Sequence, residues 1–440
     1  MIKILILGGG FGGVRAALDL EKKLGGKKDI KISLLDKSDC QIFTPALYEV
    51  ASIYGADHQH PFHTELRSVS SIPYSEIFRG KKIELIQAEV KNINLEAKHA
   101  PLETSVEHRL LETDQKSLTG HAVTGNGSTI DFDYLVLALG SAASTLGVTG
   151  AEEYAFKFKN IDDGLMVADK LEELYAGAGQ KDSPLPIKIL IGGAGFNGVE
   201  LAAELSNCTV HIAHKHAITN KNCTAITLIE AGPVILPMVS EKERTLITER
   251  LHQLGINIMT GSPVKEVGPS YIKLKDDHIL KGDLIVWSGG LKSLDIFKST
   301  PGLDLDERGR IISNDFLQAR NHANVFGVGD NLIFIDPITN NPIPQMAFVA
   351  IEQGMVAAKN IRQLILGGKL KKYKPGRNSV WIAPVGGKYA VAHIGKLNFS
   401  GFFGYLVRKL VDLRYFLSVL PFFKAIWFFW RGERAFARND

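Results

Sequence analysis

Apolar residues at the start of the chain form a strand, a glycine turn and a helix in immediate succession. The run Ile2–Leu7 is continuously hydrophobic apart from one lysine, which predicts a buried parallel strand, and the segment Val14–Leu24 has apolar residues at helical spacing. A second apolar run, Ile30–Leu35, leads into Asp36. The pattern predicts a β-strand, α-helix, β-strand unit with an acidic residue at the end of its second strand.

The same pattern recurs nearly two hundred residues later. A strand is predicted over Ile187–Ile191, a helix over Val199–Leu205, and a second strand over Ala225–Ile229 that ends in Glu230. Two copies in one chain imply two α/β nucleotide-binding domains.

Three further apolar segments suggest how these domains are connected. Asp133–Gly140 and Asp283–Gly290 each lead from an aspartate into a glycine turn, and Asn324–Asp330 suggests a return to the first domain after the second is complete. The predicted fold is therefore α/β, with two Rossmann-like domains, the second inserted in the first. The predicted boundaries are 1–150 and 306–368 for the first domain, 151–305 for the second and 369–440 for a C-terminal region.

The glycines in the first turn have the spacing of a dinucleotide fingerprint. Gly8 permits a tight turn, Gly10 lets the backbone approach a pyrophosphate, and Gly13 lets the helix pack closely on the strand. The phosphates then lie at the helix N-terminus, and Asp36 is placed to accept hydrogen bonds from a ribose. A bland glycine-rich turn remains the alternative reading.

Gly193, Gly195 and Gly198 repeat this fingerprint in the second copy, with Glu230 as the acid. A carboxylate there accepts hydrogen bonds from a free 2′-hydroxyl and repels a 2′-phosphate, and no arginine lies nearby in the sequence. The pattern favours NADH over NADPH, with a solvent-exposed strand-end glutamate as the alternative.

Five segments together resemble a known family. They are GGGFGG (Gly8–Gly13), FTPALYEVA (Phe43–Ala51), GGAGFNGVELAAEL (Gly192–Leu205), TLIEAGP (Thr227–Pro233) and VFGVGD (Val325–Asp330). This combination resembles the flavoproteins with two dinucleotide-binding domains and, within them, the type II NADH:quinone dehydrogenases of the respiratory chain. The resemblance implies bound FAD, NADH as substrate and a quinone as acceptor, without proton pumping.

The resemblance also implies roles for individual residues. Asp330 matches the aspartate that binds the FAD ribitol, while Thr44 and Pro45 match a segment lying against the isoalloxazine. The full cofactor-binding set implied is Gly8, Gly10, Gly12, Gly13, Asp36, Lys37, Thr44, Pro45, Val90, Gly140, Asp330, Ala347, Gly193, Gly195, Gly198, Glu230 and Gly289. Glu200 matches a catalytic glutamate near the nicotinamide, and its alternative reading is an acid favoured by the helix dipole.

The acceptor site is where the sequence departs from the family pattern. Members commonly carry Ala-Gln-x-Ala-x-Gln-x-Gly, and here Phe348 and Glu352 replace the two glutamines after Ala347, while Gln345 lies three positions early. We expect Phe348, Gln345 and Glu352 to face the quinone, with Glu352 as a second catalytic residue. The alternative is a helix end that packs under the flavin without touching the acceptor.

The number and spacing of the cysteines disfavour two related enzyme classes and a metal site. Only Cys40, Cys208 and Cys223 are present, without a Cys-x-x-Cys pair, so a disulfide reductase and a sulfide:quinone oxidoreductase are both disfavoured. His211, His214 and His216 accompany two of these cysteines in what reads as a polar stretch joining a helix to the next strand, and the spacing matches no usual zinc site. We therefore predict no metal.

The C-terminal region carries a membrane signal. Residues 399–431 are dense in aromatic side chains, and leucines recur at helical spacing from Leu406 to Leu420. Basic residues including Arg408 and Lys409 interrupt them and are expected to reach lipid headgroups. This predicts amphipathic helices on a bilayer surface, and a chain ending at Gly395 is expected to stay an FAD-loaded enzyme. A helix pair closing a homodimer is the alternative.

Net charge and the apolar segments limit the possible partners and the location of the protein. The net charge of +4 is concentrated in the tail, where residues 396–440 contribute eight basic and three acidic groups, so nothing indicates nucleic acid as a partner. Neither a signal peptide nor a long apolar span is predicted. We expect a monotopic protein on the cytoplasmic face of the inner or plasma membrane. The alternatives are a reductase of a protein acceptor such as a ferredoxin, a sulfide:quinone oxidoreductase-like enzyme despite the cysteine content, and a flavin-bearing interaction protein.

Overall fold

The computed structural model describes residues 1–52, 67–95, 120–180, 185–220, 222–376 and 380–436. Its strands are β1 (Ile2–Leu7), β2 (Ile30–Asp36), β3 (Cys40–Ile42), β4 (Ser71–Pro73), β5 (Glu84–Gln87), β6 (Val90–Asn94), β7 (Gly120–Thr124), β8 (Thr129–Phe132), β9 (Tyr134–Leu137), β10 (Ala142–Ala143), β11 (Phe156–Lys157), β12 (Ile187–Gly192), β13 (Thr224–Ile229), β14 (Asn257–Met259), β15 (Val264–Gly268), β16 (Tyr271–Leu274), β17 (Ile279–Lys281), β18 (Leu284–Trp287), β19 (Leu291–Lys292), β20 (Ile311–Ile312), β21 (Val325–Gly327), β22 (Leu332–Ile333), β23 (Val380–Pro384), β24 (Ala390–Ile394) and β25 (Leu397–Phe399).

The α-helices are α1 (Phe11–Leu24), α2 (Leu47–Ser52), α3 (Tyr74–Ile77), α4 (Ala151–Tyr154), α5 (Ile161–Gln180), α6 (Phe196–Lys215), α7 (Glu241–Gln253), α8 (Asp295–Lys298), α9 (Ala347–Leu366), α10 (Gly401–Val419) and α11 (Phe422–Phe436). Short 3-10 turns cover Thr44–Ala46 and Gly329–Asn331.

The chain divides into two compact units. The first contains residues 1–41, 73–142 and 292–376, and the second contains residues 42–72, 143–291 and 377–440. The domain boundaries expected from the sequence at 150, 305 and 368 stay predictions.

A parallel five-stranded sheet forms the centre of the first unit, in the order β21-β9-β1-β2-β5. The central strand β1 is paired on both sides, with Ile4 opposite Ile32 of β2 and Tyr134 of β9. Because a strand buried on both faces gains from continuous apolar sequence, β1 and its neighbours supply the core. Strand β21 brings the chain back to this sheet after it has passed through residues 143–291 of the second unit.

The second unit has its own parallel sheet, in the order β11-β18-β12-β13-β14. Helix α6 follows β12 and extends through Lys215, ten residues beyond the end predicted at Leu205. Cys208, His211 and His214 therefore lie on this helix, and the expectation of a polar connecting stretch was wrong for them. Buried Cys208 and Ile212 continue the apolar face of the helix, which is why it does not end at Leu205.

The units also contain three antiparallel sheets of three strands each. In the first unit β6, β7 and β8 form a meander, and a tight turn around Gly125–Gly127 joins β7 to β8. The second unit contains the sheets β15-β16-β17 and β23-β24-β25. Helices α10 and α11 follow the last of these.

Candidate functional site

The first glycine turn joins β1 to α1 and is shaped for a phosphate group. Gly10 is the N-cap of α1, has no side-chain cap, and faces open space where a Cβ would stand. A Cβ on Gly13 would overlap the Gly8 carbonyl oxygen, so this position requires glycine. Gly12 instead faces Val328 and α9. The uncapped N–H groups and the free approach at Gly10 fit a pyrophosphate.

Asp36 closes this turn from the end of β2. Its Oδ2 accepts a hydrogen bond from the Gly9 N–H at 2.6 Å, and its Oδ1 accepts one from the Ser38 N–H at 2.8 Å. The side chain is half-buried, while Lys37 beside it is exposed. The carboxylate is thus held at the turn with lone pairs left for ribose hydroxyls.

The second glycine turn repeats this geometry between β12 and α6. Gly195 is an uncapped N-cap that faces open space, and a Cβ on Gly198 would overlap the Gly193 carbonyl oxygen. Glu230 Oε2 accepts from the Ala194 N–H and its Oε1 from the Gly232 N–H, both at 2.8 Å. Gly289 lies against Gly193 across the sheet edge. The two turns thus share one arrangement, in which an acidic residue at a strand end accepts hydrogen bonds from the backbone of the glycine loop.

The segment Val328–Asn331 after β21, called the return segment below, is hydrogen-bonded to the end of β9 through side chains. Asp330 accepts a hydrogen bond from Ser141 Oγ at 2.7 Å. Asn331 is fully buried, accepts from the Gly140 N–H at 3.0 Å and donates to the Leu137 carbonyl at 2.9 Å. Sequence reasoning named Asp330 and Gly140 but missed Ser141 and Asn331, although Asn331 directly follows a motif residue.

Helix α9 begins at Ala347, beside the return segment. Gln345 donates from Nε2 to the Asp330 carbonyl at 2.6 Å, and Phe348 is half-buried in the first helical turn. Glu352 is half-buried and accepts a hydrogen bond from Tyr373 Oη at 3.5 Å. Burial, followed by the charge of Glu352, raises the pKa of the Tyr373 hydroxyl. Gln345 and Phe348 therefore lie near Asp330, while Glu352 contacts Tyr373.

Val90, another predicted cofactor contact, is a half-buried residue at the start of β6 and pairs with Thr124 of β7. No described contact links it to the glycine turn. Its role stays a prediction.

Thr44 and Pro45 form a 3-10 turn in the second unit that leads directly into α2. Thr44 is exposed and Pro45 is half-buried. The Pro45 carbonyl accepts a hydrogen bond from Arg408 Nη2 at 2.8 Å, so a residue of α10 contacts the turn from 363 positions away. This connection has no signal in the local sequence.

A buried ionic cluster surrounds Arg408 in the second unit. Glu200, the fifth residue of α6, lies near the guanidinium, and desolvation raises the pKa of its carboxyl to about 8 despite this cation. Desolvation likewise raises the pKa of Asp412 to about 6. Arg408 Nε lies 3.3 Å from Asp412 Oδ2. Because Glu200 lies beyond the first helical turn, desolvation and not the helix terminus governs its charge.

Two basic residues of the tail point inward. Arg408 is only 9% exposed, and Lys409 Nζ lies 2.8 Å from Glu433 Oε1 and 3.7 Å from Glu49 Oε1. The expectation that these two side chains reach lipid headgroups was wrong, because buried Glu49 on α2 and half-buried Glu433 on α11 pair with Lys409, while Arg408 pairs with Asp412. Glu49 is itself buried and also accepts from Tyr48 Oη at 2.9 Å.

Comparison with known families agrees with this geometry. The model of the pyridine nucleotide-disulphide oxidoreductase family matches residues 2–354, which include both glycine turns and the return segment. The chain belongs to this family.

Individual relatives are more distant. The type II NADH:quinone oxidoreductase of Staphylococcus aureus is 26% identical over 378 residues, which cover 84% of this chain and 85% of the relative. The solved structure of NDH2 from Plasmodium falciparum in complex with NADH has a TM-score of 0.71 at 17% identity and covers 100% of this chain and 97% of that one. The sulfide:quinone oxidoreductase of Aquifex aeolicus has a TM-score of 0.74 at 20% identity and covers 95% and 91% of the two chains.

All three cysteines of this family member are free thiols. Cys208 and Cys223 are buried, and burial raises the pKa of the Cys208 thiol well above its usual value. Cys40 Sγ lies 3.3 Å from Ser38 Oγ.

Two other expectations concern the surroundings of the site. His58, His60 and His63 follow the Phe43–Ala51 segment in the sequence, which predicts an ordinary polar loop or the lining of an access channel, and they lie outside the described residues. Within the described ranges, no helix has the length and apolar character needed to cross a bilayer.

Proposed function

We propose that this family member is an FAD-dependent NADH:quinone oxidoreductase that takes hydride from NADH and passes two electrons to a quinone. The observation that carries the proposal is the pair of complete dinucleotide turns, each with an open glycine N-cap and an acid bound to the loop backbone. The Staphylococcus aureus relative, which bears the name of this activity and aligns over most of both chains, supports it.

The residues of the two turns suit the two dinucleotides. In the first unit, Asp36 would bind the adenosine ribose of FAD and Asp330 its ribitol, with Ser141 holding the Asp330 carboxylate. In the second unit, Glu230 would accept from the ribose 2′-hydroxyl of NADH, and its negative charge would repel a 2′-phosphate. When bound, FAD supplies the two-electron redox chemistry, and the protein supplies orientation and polarity.

The residues that we propose to contact the quinone lie next to the return segment. Phe348 offers an apolar contact for a quinone ring in place of the usual glutamine, and Gln345 is held at the Asp330 carbonyl. Glu200, whose raised pKa leaves it protonated at neutral pH, can hold a proton within the second unit. These assignments follow from the family resemblance together with the contacts described above.

We further propose that α10 and α11 bind a membrane surface. Their outer side chains form an apolar face, defined by Phe402, Phe403, Leu406, Leu410, Leu417, Phe422, Phe423, Trp427 and Trp430, all at least 40% exposed. A contiguous apolar face of this kind marks an interaction surface. Aromatic side chains beside lysine and arginine are typical of helices lying in a bilayer interface, and the expected location is the cytoplasmic face.

A single set of assays tests the redox proposal. The purified protein should contain FAD and oxidise NADH with ubiquinone, menaquinone and ferricyanide as acceptors, with NADH strongly preferred over NADPH. Reduction of a ferredoxin-type protein without any quinone reduction would support the protein-acceptor hypothesis instead. Bound FAD without turnover by any acceptor would favour an interaction protein.

Membrane attachment is tested separately by flotation with anionic vesicles at low and high salt. We expect the protein to float with the vesicles at low salt. High salt should weaken its binding to the vesicles without abolishing it, because apolar burial contributes more to the binding free energy than charge does. Failure to float, together with a dimer mass in solution that the Phe423→Glu variant reduces to that of a monomer, would identify the apolar face as a homodimer interface.

A further inference from the structure

The charged side chains of α10 and α11 are sorted between the two sides of the helix pair. These helices contain two acidic residues, Asp412 and Glu433, and six basic ones. On the inner side, Arg408 Nε lies 3.3 Å from Asp412 Oδ2. Lys409 Nζ lies 2.8 Å from Glu433 Oε1. The other four charged residues are all basic, so the rest of the helix pair carries an excess of positive charge: Arg414, Lys424, Arg431 and Arg434.

Two of these cations lie beside a tryptophan of the apolar face. Lys424 Nζ lies 5.8 Å from the centroid of the Trp427 ring, and the guanidinium carbon of Arg431 lies 5.0 Å from it. The three residues follow each other at intervals of three and four positions, which places them on one side of α11. Trp427 is 51% exposed, whereas Lys424 and Arg431 are half-buried. The apolar face thus includes an exposed aromatic ring with two flanking cations.

The Arg431 guanidinium is held in this place by the protein itself. Its Nη2 donates a hydrogen bond to Ser68 Oγ. A guanidinium has five N–H donors, so one bond to a hydroxyl does not exhaust its capacity to bind an anion. The helix is fixed from its inner side, where Phe428 and Ala435 are buried. A cation that is already held in place loses less conformational freedom when it binds a ligand, which favours specific recognition.

These three side chains match the chemistry of a lipid phosphate group. Such a phosphate lies at the boundary between acyl chains and water, where tryptophan side chains are enriched in membrane proteins. Arginine binds phosphate through parallel N–H···O bonds, and lysine contributes a point charge. The neighbours Phe423 and Trp430, 85% and 59% exposed, would enter the acyl region. A free phosphate ion would leave these apolar side chains in water, so the arrangement favours a phosphate carried by a lipid.

The same group of side chains discriminates between lipid headgroups. The face of a tryptophan ring by itself attracts an ammonium group. Here Lys424 and Arg431 already flank the ring of Trp427, and like charges repel each other. Headgroups with an ammonium group, as in phosphatidylcholine or phosphatidylserine, are therefore disfavoured. Phosphatidylglycerol, whose phosphate is its only charged group, is favoured.

We propose that Lys424, Trp427 and Arg431 form a binding site for the phosphate of an anionic phospholipid whose headgroup carries no cation. The inference rests on the proposed membrane attachment of α10 and α11, and it names the class of lipid that these helices recognise. The remainder of the apolar face contributes binding that does not depend on the headgroup, and this site contributes the selectivity.

The competing explanation is that the basic residues of the tail act only through general attraction to a negative surface. Phosphatidylcholine vesicles that contain either phosphatidylglycerol or phosphatidylserine, matched for zeta potential, separate the two explanations, because general attraction does not distinguish them. Vesicles of phosphatidylcholine alone give the baseline. The readouts for the full-length protein are the partition coefficient from flotation at constant ionic strength and the thermal midpoint without lipid.

Two double variants are compared with wild type. Lys424→Gln/Arg431→Gln removes both cations beside Trp427. The matched control, Arg414→Gln/Arg434→Gln, removes the same charge from two exposed positions of the same helices. If general attraction were the whole effect, the two variants would change the binding to both kinds of charged vesicle alike.

We expect wild type to bind vesicles with phosphatidylglycerol about 5-fold more tightly than those with phosphatidylserine, equivalent to about 1 kcal/mol, the contribution of one cation near an anionic surface. Lys424→Gln/Arg431→Gln should bind the phosphatidylglycerol vesicles about 30-fold more weakly than wild type and lose this preference. Arg414→Gln/Arg434→Gln should bind both kinds of charged vesicle more weakly and keep the preference.

Three outcomes would overturn the inference. The first is equal binding of wild type to the two kinds of charged vesicle, a result that requires no variant. The second is a folded Lys424→Gln/Arg431→Gln protein that keeps the preference, and the third is a control variant that loses it to the same extent. A wild type that binds none of the vesicles, phosphatidylcholine included, would instead refute the proposed membrane attachment, so the two failures are distinguishable.

Discussion

Glu200 should make both the stability and the redox reaction of this enzyme depend on pH. Desolvation raises the pKa of its carboxyl from an ordinary value of 4.5 to about 8, with the nearby Arg408 only partly opposing this. The folded protein therefore retains a proton between about pH 4.5 and pH 8 that the unfolded chain has released. Stability must then fall as pH rises through this window, and the loss is complete above pH 8.

The variant Glu200→Gln removes this dependence. Each pH unit within the window changes the free energy of unfolding by at most about 1.4 kcal/mol, so the upper limit between pH 6 and pH 8 is about 3 kcal/mol. For a unit of 150–250 residues, 1 kcal/mol corresponds to about 2 to 4 °C in the thermal midpoint. The variant should therefore gain several degrees on wild type between pH 6 and pH 8, with no further gain above pH 8.5.

The assay is a series of thermal melts from pH 5.5 to pH 9 at constant ionic strength, beside stopped-flow reduction of the flavin by NADH. Wild-type reduction should change with an apparent pKa near 8, and the variant should lack this inflection. Glu249→Gln, at an exposed position of α7, is the matched control and should follow wild type. Parallel melting curves for wild type and Glu200→Gln would refute the assignment of a protonated Glu200.

Three further changes test other parts of the site. Glu230→Arg should reduce kcat/KM with NADH about 10-fold to 100-fold and improve the use of NADPH, because it removes a charge-assisted acceptor and supplies a partner for the 2′-phosphate. Steady-state kinetics with both nucleotides measure this, and unchanged NADH kinetics would contradict the assignment of the second turn. Glu352→Gln should alter flavin reoxidation by quinone in stopped-flow experiments and leave reduction by NADH unchanged; an effect on reduction alone would show that the α9 segment is misaligned. Phe403→Glu combined with Phe423→Glu should abolish flotation with vesicles while ferricyanide reduction persists, and undiminished flotation would exclude the apolar face as the lipid contact.

The parts of the site that the sequence predicted are those encoded by adjacent residues. Each glycine turn lies within a few positions of its strand and helix, and the acid follows at a spacing set by one helix and one strand, so Asp36 and Glu230 could be assigned from the pattern. Ser141 and Asn331 could not, because their partners lie about 190 positions away and a serine or asparagine in a loop has many bland explanations. Helix α6 was predicted too short because its polar residues hid a buried stripe that continues through Cys208 and Ile212.

In the C-terminal tail, the exposed face could be predicted from the sequence, whereas the buried contacts of the inner face could not. Exposed aromatic residues are visible in composition, whereas the inward direction of Arg408 depends on carboxylates that only folding brings near it. Phe416, Ala425 and Phe428 of the tail are also buried, so a chain ending at Gly395 would expose apolar surface and leave Glu49 without its cation. Removing one partner of a buried ion pair costs about 3 to 5 kcal/mol, which makes truncation a test of folding and not of membrane binding. Substitutions confined to the outer face keep the inner contacts intact, and they alone can separate attachment to lipid from loss of the fold.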